Sequence, residues 1–360
     1  GNLTTLPAPP LGPLVAAGAI ARGQIALDAG DPAGALAILQ QPVYGPWTLA
    51  GGPQPVLASG SVAEAALTLS LLAFIQSDDF NRAQAAMKRL EEVAGTGAEA
   101  SAKLTGMYLS MGRDLQGQLE GLAEEAAKGD AGSRDRARKI LQGFTAFLAA
   151  VAERDSKTSS QLWVATTYRA LGSGTGTGAV VPKTDADGYL RQAAEAYGRL
   201  LAKTGDPDVT RFEPSIRLQL AGINRRLGDW QGAREQLDWM LADPGRRNSL
   251  EAQVLAAEVL QGAATAAASS GDTAAADRLF HEAVVGDKAA GIWGWAQIAN
   301  RLERQGISAA DERTATARST FFEARLQLVE CLVGRARLPG AAADTRQKRL
   351  STAETVISMT

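Results

Sequence analysis

Residues Ser215–Pro244 read SIRLQLAGINRRLGDWQGAREQLDWMLADP. Small and large apolar residues stand at helical spacing on both sides of Leu227-Gly228-Asp229-Trp230, and the second run stops at Pro244. The pattern predicts two helices folded back on each other. Glycine can adopt the positive φ with which a helix ends in a tight turn. The aspartate after it can accept hydrogen bonds from the free N–H groups that open the next helix.

Working outward, the same break recurs. Gly30-Asp31 follows a helix from about Leu14, and Pro32 opens the next one, where proline is tolerated. Asp78-Asp79-Phe80 separates Val62–Gln76 from Arg82–Val93. Gly112 is predicted to close Ser101–Met111 and open Leu115–Ala127. Gly172 closes Ser160–Leu171, Gly271 closes Leu250–Ser270, and Gly306 closes Ile292–Gln305. Asp78 to Gly112 and Gly271 to Gly306 are each about 34 residues, the period of a helix–turn–helix repeat. Two stretches break the phase. Residues 134–153 read as one extra amphipathic helix, with Ile140, Leu141, Phe144, Phe147, Leu148 and Val151 on one side. Residues 172–188, GSGTGTGAVVPKTDADG, read as a flexible insertion inside one repeat.

Composition fits close-packed helices. Of 360 residues 45% are apolar but only 5% aromatic, and alanine is abundant. Small side chains let helix axes approach closely and suit a β-sandwich poorly. A net charge of -2 gives no broad electrostatic reason to bind nucleic acid or anionic lipid. The longest apolar run, about Ala65 to Ile75, is too short for a membrane span. Cys331 and His281 are the single cysteine and histidine, which removes Ser-His-Asp and Cys-His nucleophile systems and the usual zinc sites.

The phased series resembles the tetratricopeptide repeat family, in its degenerate alanine-rich bacterial form. Trp295, Ile298, Ala299, Leu302 and Gly306 match the first-helix pattern of that motif. Leu220, Ala221, Gly228, Trp230, Ala233, Leu237 and Leu241 match most of the whole motif. Val164, Ala165, Tyr168, Leu171 and Gly172 match too, with Ala193, Tyr197 and Leu200 after the insertion, and Gly271, Ala276, Phe280 and Ala283 match a second half. Asn224, Gly117 and Gly121 depart from it. The resemblance implies an all-α, right-handed α-solenoid of antiparallel helix pairs over residues 14–360, after an extended proline-rich segment, 1–13, and continuing beyond 360. It also implies a concave groove lined by the first helices. Transferring the groove offsets gives Arg169, Arg225, Arg226 and Arg304 as partner-binding residues. Leu162, Leu218, Thr265 and Ala296 are their apolar or small neighbours. Guanidinium groups grip carboxylates bidentately, which suits acidic peptide segments. Trp293, two residues from the motif tryptophan Trp295, is a further partner-binding candidate.

Other features point less far. The glycine run at 172–178 lacks the preceding strand and the following lysine–hydroxyl pair of a phosphate loop. Asp78/Asp79, Glu91/Glu92 and Glu124/Glu125 are adjacent in sequence, whereas acid–base catalysis needs carboxylates facing one bond across a cleft. The expectation is therefore a non-catalytic scaffold without cofactor or metal, binding protein or peptide partners and able to self-associate through its ends. The competing expectation is the superhelical arm of a larger exported enzyme, such as a cell-wall hydrolase. The proline-rich start without a methionine fits a bacterial protein, exported to the periplasm or beyond.

Overall fold

The computed structural model describes residues 12–42, 44–48, 52–53, 60–77, 79–95, 97–154, 157–304 and 312–358. Among them the protein is all-helical apart from one antiparallel two-residue ladder, β1 (Trp47–Thr48) with β2 (Gly52–Pro53). The extended segment expected over 1–13 lies outside the described residues up to position 11, and Pro13 already opens a helix. The Gly306 turn also lies outside them. Two compact units divide the chain, 1–196 and 197–360, and the boundary falls within one helix.

The first unit contains α1 (Pro13–Asp28), α2 (Pro32–Leu39), α3 (Gly60–Gln76), α4 (Phe80–Ala94), α5 (Ala98–Ala127), α6 (Ala131–Arg154) and α7 (Thr158–Leu171). A 3-10 helix (Gly176–Val180) and the first part of α8 (Lys183–Leu201) follow. The apolar run too short for a membrane is α3. It is apolar all round, and eleven of its residues, from Ala63 to Gln76, are buried. Five helices, α1, α2, α4, α5 and α6, pack around it. Among the described residues no helix is long and apolar enough to cross a membrane.

The second unit holds α9 (Pro207–Leu227), α10 (Trp230–Ala242), α11 (Leu250–Ser269), α12 (Thr273–Val285), α13 (Trp295–Arg304), α14 (Glu312–Ala336) and α15 (Ala343–Ser358). Here each helix packs on the next, and α9 on α11, α11 on α13 and α12 on α14 extend the contact to the next but one. The predicted motif positions are the core. Trp295, Ile298, Ala299 and Leu302 form the buried face of α13, and Ala233, Leu237, Met240 and Leu241 that of α10.

One dipeptide closes most helix pairs. Gly30-Asp31, Gly129-Asp130, Gly228-Asp229 and Gly271-Asp272 all combine a glycine at positive φ with an aspartate that accepts a backbone N–H of the following helix. At Gly228 the φ is 77°; its N–H donates to Arg225 O and that of Asp229 to Asn224 O. These two bonds cap the outgoing carbonyls while the Asp229 carboxylate caps α10. The same two-bond ending occurs at the other three turns.

One predicted turn is corrected, and a second stands for a different reason than positive φ. Gly112 lies inside the continuous helix α5, and a Cβ there would overlap the Trp163 ring, so the glycine makes room for an aromatic from α7. Gly172 ends α7 with a negative φ of -75°; its Cβ position is occupied by Leu190 of α8. Neither position needs glycine for its backbone. The insertion expected over 172–188 also shrinks, because α8 begins at Lys183. The 3-10 helix packs on α5, α6 and α7, and Gly178 lies where a Cβ would meet Ala170 O at 2.5 Å. The extra helix expected at 134–153 is α6, which runs from Ala131 to Arg154.

Candidate functional site

In the second unit, α11 is alanine-rich and buries Ala252, Ala256, Ala257, Val259, Leu260 and Ala264. Its remaining face is polar. Glu258, Gln261, Thr265 and Ser269 recur at intervals of three or four residues, so they share one side of the helix. That side forms the floor of two adjoining clefts. One, of about 470 Å³, is bounded by Arg225 at the end of α9, Trp230 at the start of α10, and Gln327 of α14. The other, of about 410 Å³, is bounded by Phe280 of α12 and by Glu330, Gly334, Arg337, Leu338 and Pro339 at the end of α14 and beyond. Gln261, Thr265 and Ser269 line both.

The clefts are shaped by missing side chains. At Gly262 a Cβ would overlap the Trp230 ring, so the indole lies directly against α11. At Gly334 a Cβ would meet the Phe280 ring at 2.9 Å. Gln261 is fixed from three sides. Its Nε2 donates to Gln327 Oε1 at 2.6 Å and to Glu330 Oε2 at 3.2 Å, and its Oε1 accepts from Trp295 Nε1 at 2.8 Å. A second glutamine, Gln253, does the same at the other end of α11: it donates to Arg247 O and Gly291 O and accepts from the Trp293 backbone. Saturated amides of this kind hold α11 and its floor in one orientation.

Arg225 is the cation that faces Glu258, with Nε 3.3 Å from Oε2. This is an ion pair by distance; Nε itself is out of solvent and makes no hydrogen bond. Burial pushes the Glu258 carboxyl above its ordinary value, Arg225 pulls it down, and Glu323 pushes it up again.

Of the expected partner-binding residues, Arg169 and Leu162 belong to the first unit and the other five to the second. Arg225 lines a cleft, but its guanidinium already has Glu258. Arg226 is exposed outside the cleft, and Arg304 is exposed at the end of α13. Leu218 is half-buried against the core. Trp293 is not helical. It precedes α13 in a loop closed by the Asp287–Ile292 bridge, and its ring is half-buried under Arg301, 3.8 Å from the centroid. Thr265 alone of the expected small neighbours lies on the cleft floor. Glu258, Gln261 and Ser269 were missed, although their helical spacing along an alanine-rich segment is visible in the sequence.

The chain's two most reactive side-chain types stand apart from the clefts. Cys331 is fully buried, and burial pushes its thiol up to about 12. His281 Nδ1 lies 2.9 Å from Arg335 Nη1 on the surface of α12. Among the described residues no group of acids, histidine and cysteine is placed to hold a metal ion. Compared with known proteins, the chain matches no family model and no curated sequence.

Proposed function

We infer that this chain is a protein-interaction scaffold of stacked helix pairs, of the tetratricopeptide-like right-handed kind, and that it takes an extended segment of a partner protein along α11. The observation carrying this reading is that two clefts share one helix face, Gln261, Thr265 and Ser269, so that the floor is continuous over the length of a short peptide. Helix-to-next-but-one packing in the second unit supports the repeat reading. The Thr265 and Ser269 hydroxyl oxygens along such a floor can accept main-chain N–H groups, a mode tolerant of partner sequence. Arg225 and Glu258 supply charge in one cleft, Glu330 and Arg337 in the other.

Short phage-displayed peptides selected on the full chain test this directly. Thr265 is exposed, so Thr265→Arg fills the shared floor without touching the core. Selected peptides should lose about 10-fold or more in affinity for this variant, with its melting temperature unchanged. Peptides that bind the variant and the parent chain equally well would place the binding surface elsewhere.

A further inference from the structure

The first unit contains a cavity that the peptide reading does not use. It measures about 400 Å³, within the range of small-molecule sites. The α1–α2 turn contributes Leu27, Asp28 and Pro32, α3 contributes Gln76, α5 contributes Gln118, Gly121, Leu122 and Glu125, and α6 contributes Arg136, Lys139 and Ile140.

Its polar floor is one amide pair. Gln76, only 8% exposed, donates from Nε2 to Gln118 Oε1 at 2.7 Å. A side-chain amide has two donor hydrogens and an acceptor oxygen. Whichever way each amide is turned, one acceptor and one donor stay available at the edge of the pair, and no protein group among the described residues satisfies them. Neither free end is sealed from solvent, so both are open to whatever fills the cavity. The walls, Leu27, Leu122 and Ile140, are aliphatic. At the mouth the charges are two acids and two bases. Arg136 is already engaged by Glu125, Asp130 and Ser133, which leaves little net field for an ion.

Gly121 supplies a second observation. Glycine inside a helix costs about 1 kcal/mol against alanine. A Cβ at Gly121 would meet nothing within 4 Å, so no packing contact requires glycine there. What its absent side chain does is leave the cavity open.

We propose that this cavity is a binding site for a small neutral aliphatic amide, about the size of one amino-acid residue. The ligand's N–H and C=O complete the Gln76–Gln118 pair, and its hydrocarbon lies between Leu27, Leu122 and Ile140. The site is independent of the α11 clefts.

The test is an NMR titration of the full chain with N-acetyl-leucinamide, following the side-chain amide signals of Gln76 and Gln118. A ligand of about a dozen heavy atoms should saturate with a Kd of roughly 1 mM. Isoamyl alcohol, with a similar hydrocarbon and no amide, should bind about 10-fold more weakly or worse. Gly121→Leu should abolish binding while the melting temperature holds or rises. Gly121→Ala should raise the melting temperature and weaken binding only slightly. Absence of saturable shifts, equal binding of the alcohol, or full binding by a folded Gly121→Leu variant would each overturn the proposal.

Discussion

The two units use the same turn and build different interiors from it. Gly30-Asp31 and Gly228-Asp229 close their helix pairs with the same backbone hydrogen bonds and the same aspartate cap. In the first unit, however, five helices gather round α3, which is buried on every side over residues 69–76. In the second each helix meets its sequence neighbours, and three pairs also reach the next but one. The difference lies in one sequence property. The second half of α3, LSLLAFIQ, has no polar stripe to present to water, whereas WAQIANRLER buries Trp295, Ile298, Ala299 and Leu302 on one side and leaves the other partly or fully exposed. A shared turn fixes the pair; the width of the apolar face decides whether pairs line up or close around a centre.

A buried charge at each place tests that contrast most severely. Leu71, fully buried in α3, touches the centre of the first unit. Leu71→Asp should remove about 4 kcal/mol or more and abolish hydrogen-exchange protection across the whole first unit. Ala353, buried in α15, lies on a terminal helix whose main packing partner is α14. Ala353→Asp should free α15 while α9 to α12 keep their protection. Loss of protection across all of the second unit would show that it is as cooperative as the first, and the contrast would fail.

The next effect compares two glycines. At Gly143 of α6 an added Cβ would meet the Ile75 backbone oxygen at 2.5 Å, and a main chain inside a packed helix cannot step aside. Gly143→Ala should cost about 3 kcal/mol. At Gly262 the obstacle is the half-buried Trp230 ring, which can swing into the cleft. Gly262→Ala should cost about 1 kcal/mol and lower peptide affinity at the same time. Equal costs from urea titrations would mean that Trp230 is as fixed as a backbone.

These positions also show what could be read in advance. Three of the four Gly-Asp turns and the α10 and α13 cores follow from backbone conformation and helical spacing, which are local properties of the sequence; Gly129-Asp130 was not among the turns expected. Gly112, expected as a turn, lies inside α5, and Gly172, which does close α7, needs no positive φ. Their small size serves Trp163 and Leu190, partners 51 and 18 residues away, and nothing local reports that. The surroundings of the groove arginines are equally non-local. Position in a repeat says which side of a helix Arg225 occupies, but not that Glu258 of α11 will meet it. The polar row of α11 is legible from spacing alone: Thr265 is expected there as a groove neighbour, and Glu258, Gln261 and Ser269 stand at the same helical spacing.

If the turns are equivalent, their caps must cost the same in both units. Asp31→Ala and Asp229→Ala should each lose about 1 kcal/mol, since each deletes one carboxylate-to-N–H bond at a helix start. A difference larger than twofold between them would mean that tertiary packing, and not the dipeptide, sets the turn.

The smallest effect separates two carboxylates of the second unit by sign. Asp277 accepts two hydrogen bonds from Arg335 and lies 2.9 Å from Arg349, and these hold its pKa below the ordinary 3.8. A depressed carboxylate contributes stability above its unfolded pKa and loses it as the pH falls through the folded value. Asp277→Asn should therefore weaken the unit at neutral pH and flatten its acid limb below about pH 4. Glu258 is the reverse case. Burial raises its pKa, so the folded state binds its proton more tightly than the unfolded one, and ionisation at neutral pH opposes folding. Glu258→Gln should leave stability unchanged or slightly higher at pH 7, with the gain vanishing as the pH falls to the ordinary carboxylate range. Both side chains are more than a third exposed, so each change should stay under about 1 kcal/mol. Urea midpoints of the two variants at several pH values decide the matter: shifts of the same sign would show that Arg225 compensates Glu258 as fully as Arg335 compensates Asp277, and the α11 floor would then hold a settled ion pair with no charge left for a partner.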